Sequence, residues 1–390
     1  VAPFSTWSTD AELAFLLEDA RVRTLFTLDR LGERRYAAGA EAIRKSGQAP
    51  LLERIVRIDG DDFAPYRDAA PPPEAPPGER ASAGDVLTLL YTSGSSSRPK
   101  CVPLLHYAAI ENGGNIGGRQ GLSPADRVLV AIPLFWSYGA VNALMATLYN
   151  GATLVLQSRF EPAGALDLIE RCGATSIYTL PAMTNALLAH ADFRPERTRS
   201  LRTGVTIGAP QDVLRAANEL GAREICNIYG QTESYGNCCV TPHDWPLDRR
   251  AACQGPPLPG VEVRISDPET GASLAPGAVG AIEVRGYLTP GYAGDSAGQN
   301  AAAFTPDGFF RTGDLGALQA DGSIVYAGRS SEMIKRSGIN VSPSEVEEAL
   351  QQSADVGLAG VAGAPDTDKG EIIVAFVIPR PGAPPDPLQL

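Results

Sequence analysis

The chain has 390 residues, 44% hydrophobic and 20% charged, which is enough apolar material for a large core and excludes a disordered chain. A net charge of -12 excludes general nucleic-acid binding, which needs basic patches, so an anionic ligand must be held by local groups. No apolar run is long enough to span a bilayer, no leader peptide is visible, and six scattered cysteines without zinc spacing read as reduced thiols of a cytoplasmic protein.

In chain order, Ser8-Thr9-Asp10 ahead of an apolar stretch at 11–17 predicts a capped amphipathic helix, and 22–28 reads as a strand. Residues 64–84 are proline-rich and read as a surface loop. Strands are expected at 86–91, 128–132, 153–156 and 176–179, with helices at 139–148 and 163–172. That rhythm is a doubly wound α/β fold of parallel-type sheets. Past Gly255, period-two alternation at 261–265 and 280–284 predicts an antiparallel β subdomain over about 255–328. The whole of 1–328 reads as one large domain, 329–332 as a hinge, and 333–390 as part of a small α+β domain with a helix at 344–350.

The stretch Thr92-Ser93-Gly94-Ser95-Ser96-Ser97-Arg98-Pro99-Lys100 follows a strand directly. Small hydroxyl residues and free N–H groups there suit a triphosphate, with Arg98 and Lys100 adding positive charge. It is not a Walker A loop, because Pro99 and Cys101 flank the lysine. Taken alone, it reads equally as a surface linker.

Three further segments are Asn227-Ile228-Tyr229-Gly230-Gln231-Thr232-Glu233, then Thr312-Gly313-Asp314, then a stretch from Gly328-Arg329 through Lys335 and Gly338. In this order they resemble the adenylate-forming superfamily: acyl-CoA synthetases, aryl-acid ligases, luciferases and peptide-synthetase adenylation domains. The resemblance implies ATP- and Mg²⁺-dependent conversion of a carboxylic acid to an acyl-adenylate. It implies that residues 92–100 hold the β- and γ-phosphates, with Lys100 among the catalytic residues. Gly208-Ala209-Pro210 and Tyr229 would enclose adenine, with Asn227 near its amine and Gly230 beside it. Thr232 would touch the α-phosphate, Glu233 would hold magnesium, Asp314 would take the ribose hydroxyls, and Arg329 would reach the ribose or phosphate edge.

Trp136, Ser137, Tyr138, Asn142, Thr206 and Tyr235 would line the acid pocket, and the lack of an aspartate in 136–138 disfavours an α-amino acid. A small or aromatic acid with a polar substituent is expected. Lys335 and Gly338 would flank the tunnel for coenzyme A or a phosphopantetheinyl carrier protein. Some relatives pass the acyl group to an amine or activate an anion such as nitrite, and a catalytically impaired homologue is a further alternative. Ser97 and Cys101 stand where the family commonly has glycine, and Trp136 where it often has histidine. The family's adenylation lysine is expected beyond Leu390, because Lys369 lies in what resembles an earlier surface turn.

Overall fold

The computed structural model describes residues 1–69, 80–92, 99–294, 297–336, 339–353, 355–366 and 370–380. The first helix, Asp10–Asp19, begins as its sequence implies: Thr9 Oγ1 accepts the Glu12 N–H at 3.2 Å, and Glu12 Oε2 accepts the Thr9 N–H at 2.6 Å. Two short parallel strands, β1 (Thr24–Thr27) and β2 (Arg54–Arg57), follow.

Strand β3 (Val86–Thr92) does not join a parallel sheet. It pairs antiparallel with β4 (Lys100–Leu105), a strand not among those expected from sequence. The serine-rich segment therefore joins the two arms of a hairpin, and Thr92 faces Lys100 across it.

The central sheet comprises β5 (Arg127–Val130), β6 (Thr153–Leu156), β7 (Ser176–Tyr178), β8 (Thr203–Thr206), β9 (Glu224–Tyr229) and β10 (Cys239–Val240), in the order β10-β9-β8-β7-β5-β6. All pairs are parallel except β9 with β10. Alternate residues feed different cores. Val128, Val130, Tyr178, Val205 and Ile228 pack on one face with Ile116 and Tyr138. Leu129, Ile177 and Ile225 pack on the other, against Leu166 and Ile169 of the helix Pro162–Cys172 and Val213 of the helix Pro210–Asn218. Burial on both faces is why these strands read as nearly continuous apolar runs.

An antiparallel sheet follows, β11 (Glu262–Ser266), β12 (Val279–Arg285), β13 (Phe310–Leu318) and β14 (Ile324–Arg329), in that order. It packs on the end of the central sheet: Ile265, Ile282, Val284 and Ile324 share a core with Tyr229, Cys238 and Cys239. A last sheet, ordered β16-β15-β18-β17, holds β15 (Ile334–Arg336), β16 (Ile339–Val341), β17 (Val356–Asp366) and β18 (Gly370–Pro379). The helix Pro343–Gln351 lies within this last unit. The overall plan is the α/β architecture expected, with an antiparallel sheet at 262–329 as anticipated and, in addition, the antiparallel β3–β4 hairpin ahead of the central sheet. Among the described residues no helix is long and apolar enough to cross a membrane.

Candidate active site

The site gathers where parallel strands end, which is the usual place for ligands in open α/β sheets. Strand β8 ends at Thr206, and Gly208-Ala209 then lead into the helix at Pro210. The Asp212 carboxylate accepts the Ala209 N–H at 3.1 Å and fixes that entry, and its pKa is raised by burial. One strand over, β9 ends at Tyr229. A bend through Gly230 and Gln231 opens a short turn, Thr232–Ser234. Gly230 is required there: a Cβ would lie 2.5 Å from the Asn237 Cα and from the Gly236 carbonyl, where the chain returns.

Asn227 ties the two strand ends together. It is fully buried, and its Nδ2 donates to the carbonyls of Cys253 at 3.1 Å and Gly208 at 3.4 Å. Tyr229 is also buried, and its Oη donates to Asp314 Oδ2 at 2.8 Å. Its ring lies 5.8 Å from that of Tyr326, tilted by 31°. Burial is the main reason its hydroxyl pKa lies well above the usual phenol range. The hydroxyl therefore stays a donor.

Asp314 comes from β13 of the antiparallel sheet. Gln231 Nε2 also donates to its Oδ2, at 2.6 Å, and to the Thr312 carbonyl at 2.9 Å. The other oxygen, Oδ1, lies 3.2 Å from Arg329 Nε but accepts no aligned hydrogen bond among the described residues, although it is buried. A buried carboxylate oxygen without an aligned donor is costly, and it suits a ligand that brings hydroxyl donors. Burial pushes the Asp314 carboxyl above the usual range, against the hydrogen bond from Tyr229, the charge of Arg329 and the hydrogen bond from Gln231.

Thr232 reaches in the other direction. Its Oγ1 donates to Ser137 Oγ at 3.0 Å, linking the Tyr229–Glu233 motif to the segment that precedes a π-helical turn, Tyr138–Ala143. Glu233 is buried, and its Oε1 accepts from Tyr292 Oη at 2.8 Å. The Lys100 ammonium lies 4.8 Å from the centre of the Tyr292 ring. Thus the one segment 229–233 carries three separate side-chain groups: Tyr229 and Gln231 with Asp314 and Arg329, Thr232 with Ser137, and Glu233 with Tyr292 and Lys100.

Other anticipated positions fall differently. Tyr138 is buried and donates to the carbonyls of Val205 and Thr179, at 2.9 and 3.1 Å. Tyr235 is fully buried at φ +59°, and its hydroxyl accepts the Leu105 N–H at 2.7 Å. Asn142 Oδ1 accepts from Tyr178 Oη at 2.9 Å, while its buried Nδ2 has no partner among the described residues. Thr206 is buried at the end of β8. Trp136 is 39% exposed, in edge contact with Trp7 and Phe135. Cys101 is buried on β4, turned away from solvent. Ser93, Gly94, Ser95, Ser96, Ser97 and Gly338 lie outside the described residues, as does the side chain of Lys335 on β15.

Two residues of these groups, Gln231 and Tyr292, are not among the site residues expected from sequence. Gln231 stands inside the motif and its amide is the second donor to Asp314. Tyr292 follows Gly291 with no pattern to mark it, because its partner Glu233 is 59 residues away.

Comparison with known proteins accords with this geometry. A family model described as AMP-binding enzyme matches residues 1–293, three quarters of the chain, and a second, described as AMP-binding enzyme C-terminal domain, matches 345–390. The chain belongs to the AMP-binding enzyme family. It is 32% identical to the acyl-CoA ligase SID4 of Ajellomyces capsulatus, over 97% of this chain and 68% of that protein. It is 35% identical to an indoleacetate–CoA ligase of Aromatoleum aromaticum, over 76% of this chain and 58% of that protein. The crystal structure of ATP-bound MatB from Rhodopseudomonas palustris superposes with a TM-score of 0.85 at 28% identity, over 99% of this chain and 74% of that one. The AMP-binding family chain thus spans only part of its relatives' length.

Proposed function

We propose that this protein uses ATP to activate a carboxylic acid as its acyl-adenylate, releasing pyrophosphate, and then passes the acyl group to a thiol of coenzyme A or a pantetheinyl carrier. The observation that carries this reading is the Asp314 carboxylate, with Oδ2 fixed by Tyr229 and Gln231 and Oδ1 buried without an aligned donor among the described residues. A ribose presents two hydroxyl donors, and Oδ1 can accept from them. Names of relatives that act on coenzyme A support the acceptor, and an indoleacetate ligase among them supports an aromatic acid.

The roles follow from position. Tyr229 and the Gly208-Ala209-Pro210 segment flank the adenine, and Asn227 holds both strand ends. Arg329 is half exposed beside Asp314 and can swing to a phosphate. Thr232 and Ser137 share a hydrogen bond that can open toward the α-phosphate and the attacking carboxylate. A carboxylate oxygen bonds to the α-phosphorus as the bond from that phosphorus to the bridging oxygen breaks, and pyrophosphate leaves. No proton moves, so no protein base or nucleophile is needed. Lys100 adds a positive charge beside the departing phosphates.

Glu233 offers a hard carboxylate oxygen, which suits magnesium held chiefly by substrate phosphates. When bound, the ion neutralises charge gathering on the phosphate oxygens. Trp136, Ser137, Tyr138, Asn142, Thr206 and Tyr235 are the positions assigned to the acid pocket beside the α-phosphate, with Tyr138 and Tyr235 supporting it from behind through their hydrogen bonds to backbone. The unpartnered Asn142 Nδ2 suits an acid with a polar substituent. Residues 1–328 form the adenylating domain, 329–332 a hinge, and the unit after it rotates to admit the thiol along Lys335 and Gly338.

ATP–pyrophosphate exchange across a panel of aromatic, small and long-chain acids tests the reading. Acid-dependent exchange, best with small or aromatic acids, is expected. Preference for long-chain fatty acids would overturn the substrate class, and ATP binding that no acid converts to exchange would overturn catalysis.

A further inference from the structure

We propose that Tyr292 is the positioning residue of the metal–triphosphate end of this site, keeping Glu233 and Lys100 aimed at one ligand without letting them neutralise each other. The proposal rests on the reading that these two residues face Mg²⁺ and the phosphates of ATP.

Tyr292 is only 8% exposed and stands between the two charges. Its Oη donates to Glu233 Oε1 at 2.8 Å, and its ring carries the Lys100 ammonium 4.8 Å from the centroid. Among the described residues Lys100 and Glu233 form no ion pair with each other. A direct pair would cancel the charge each must offer, the carboxylate to a cation and the ammonium to an anion. A neutral phenol avoids this. It orients the carboxylate by one hydrogen bond and holds the ammonium by its π face, leaving both net charges intact.

The backbone around Tyr292 fixes the ring at both ends. Asn300 Oδ1 accepts the Tyr292 N–H at 2.8 Å, and Asn300 Nδ2 donates to the Tyr292 carbonyl at 3.2 Å. The Ala293 N–H donates to the Cys101 carbonyl at 3.0 Å, next to Lys100. The Thr289 N–H donates to the Glu233 carbonyl at 2.8 Å, and Thr289 Oγ1 donates to the Pro103 carbonyl at 2.7 Å. Residues 289–293 are thus stitched both to Glu233 and to β4, which carries Lys100. The segment acts as a spacer of set length between anion and cation.

Tyr292→Phe removes the hydroxyl and keeps the ring. The test is calorimetric titration of ATP into the whole chain, with saturating Mg²⁺ and again in EDTA, for wild type and variant, with thermal unfolding as a control. Wild type should bind ATP more tightly with Mg²⁺. The variant should keep its affinity in EDTA and lose most of the Mg²⁺ enhancement, about tenfold. Tyr292→Leu, which also removes the ring, should weaken binding in EDTA too, because Lys100 loses its platform. A merely structural role would lower the unfolding midpoint and leave the Mg²⁺ dependence of Tyr292→Phe at the wild-type value, and that result overturns the proposal. Wild type that binds ATP without Mg²⁺ enhancement also overturns it while leaving the nucleotide reading intact, whereas wild type that binds no ATP removes both.

Discussion

The two oxygens of Asp314 are in different states. Oδ2 is held by Tyr229 and Gln231, whereas Oδ1 is buried beside Arg329 and, among the described residues, accepts no aligned hydrogen bond. Burial raises the carboxyl's pKa above the usual range despite the stabilising neighbours. The folded chain therefore holds this proton more tightly than the unfolded chain. The group's contribution to stability is full below its unfolded pKa and is lost as pH rises through the raised folded value. Asp314→Asn has no charge to desolvate and keeps an acceptor for Tyr229 and Gln231. Its unfolding temperature relative to wild type should rise from acidic to neutral pH, measured by circular dichroism melts across that range. A difference independent of pH would contradict this. The pair itself was legible only as motif order. Tyr229 and Asp314 are 85 residues apart, and neither is unusual alone. Gln231 and Tyr292 were not legible, because a donor to a distant carboxylate leaves no local pattern.

Among the elements, those with one dominant local signal were read well. The helix capped by Thr9 and the central strands β5, β6 and β7 match expectation, because capping chemistry and double-sided burial are written in neighbouring residues. The hairpin was missed. An apolar strand such as β3 carries no mark of its partner, and Pro103 argues against a strand at 100–105. In a two-stranded sheet every strand is an edge, so Pro103 is tolerated opposite Leu89. The helix expected at 139–148 is real but starts as a π turn, Tyr138–Ala143, before the α-helix Leu144–Tyr149, a widening that composition does not signal. Glycines also separate by what surrounds them. Gly255 has φ +83°, and a Cβ would lie 2.3 Å from the Thr241 N and the Val240 carbonyl carbon; Gly32 has φ +61° with nothing within 4 Å. Gly255→Ala should cost roughly 3 kcal/mol or more, and Gly32→Ala about 1 kcal/mol. Denaturant midpoints at constant slope check this, and equal costs would contradict the packing described.

At the scale of the whole molecule, three sheets converge on one place. The central sheet brings Tyr229, the antiparallel sheet brings Asp314 and Arg329, and the hairpin brings Thr92 and Lys100. Apolar clusters lock the convergence. Leu90, Val102 and Leu104 of the hairpin pack with Tyr235, Tyr292 and Phe310, and the antiparallel strands share a core with Tyr229. The last unit touches this assembly beside Arg329, where Ser342 Oγ donates to the Ala327 carbonyl at 2.7 Å. Such long-range closure is what a linear reading reaches only through resemblance, since no single segment holds the site. The claim on which the rest depends is that this convergence holds one nucleotide with its ribose on Asp314. The most direct measurement is calorimetric titration of ATP and of 2′,3′-dideoxy-ATP into wild type and Asp314→Asn. Wild type should prefer ATP by about tenfold or more, and the variant should bind both weakly and alike. Wild type that binds the dideoxy nucleotide as tightly as ATP, or a variant that keeps wild-type affinity and preference, would contradict it.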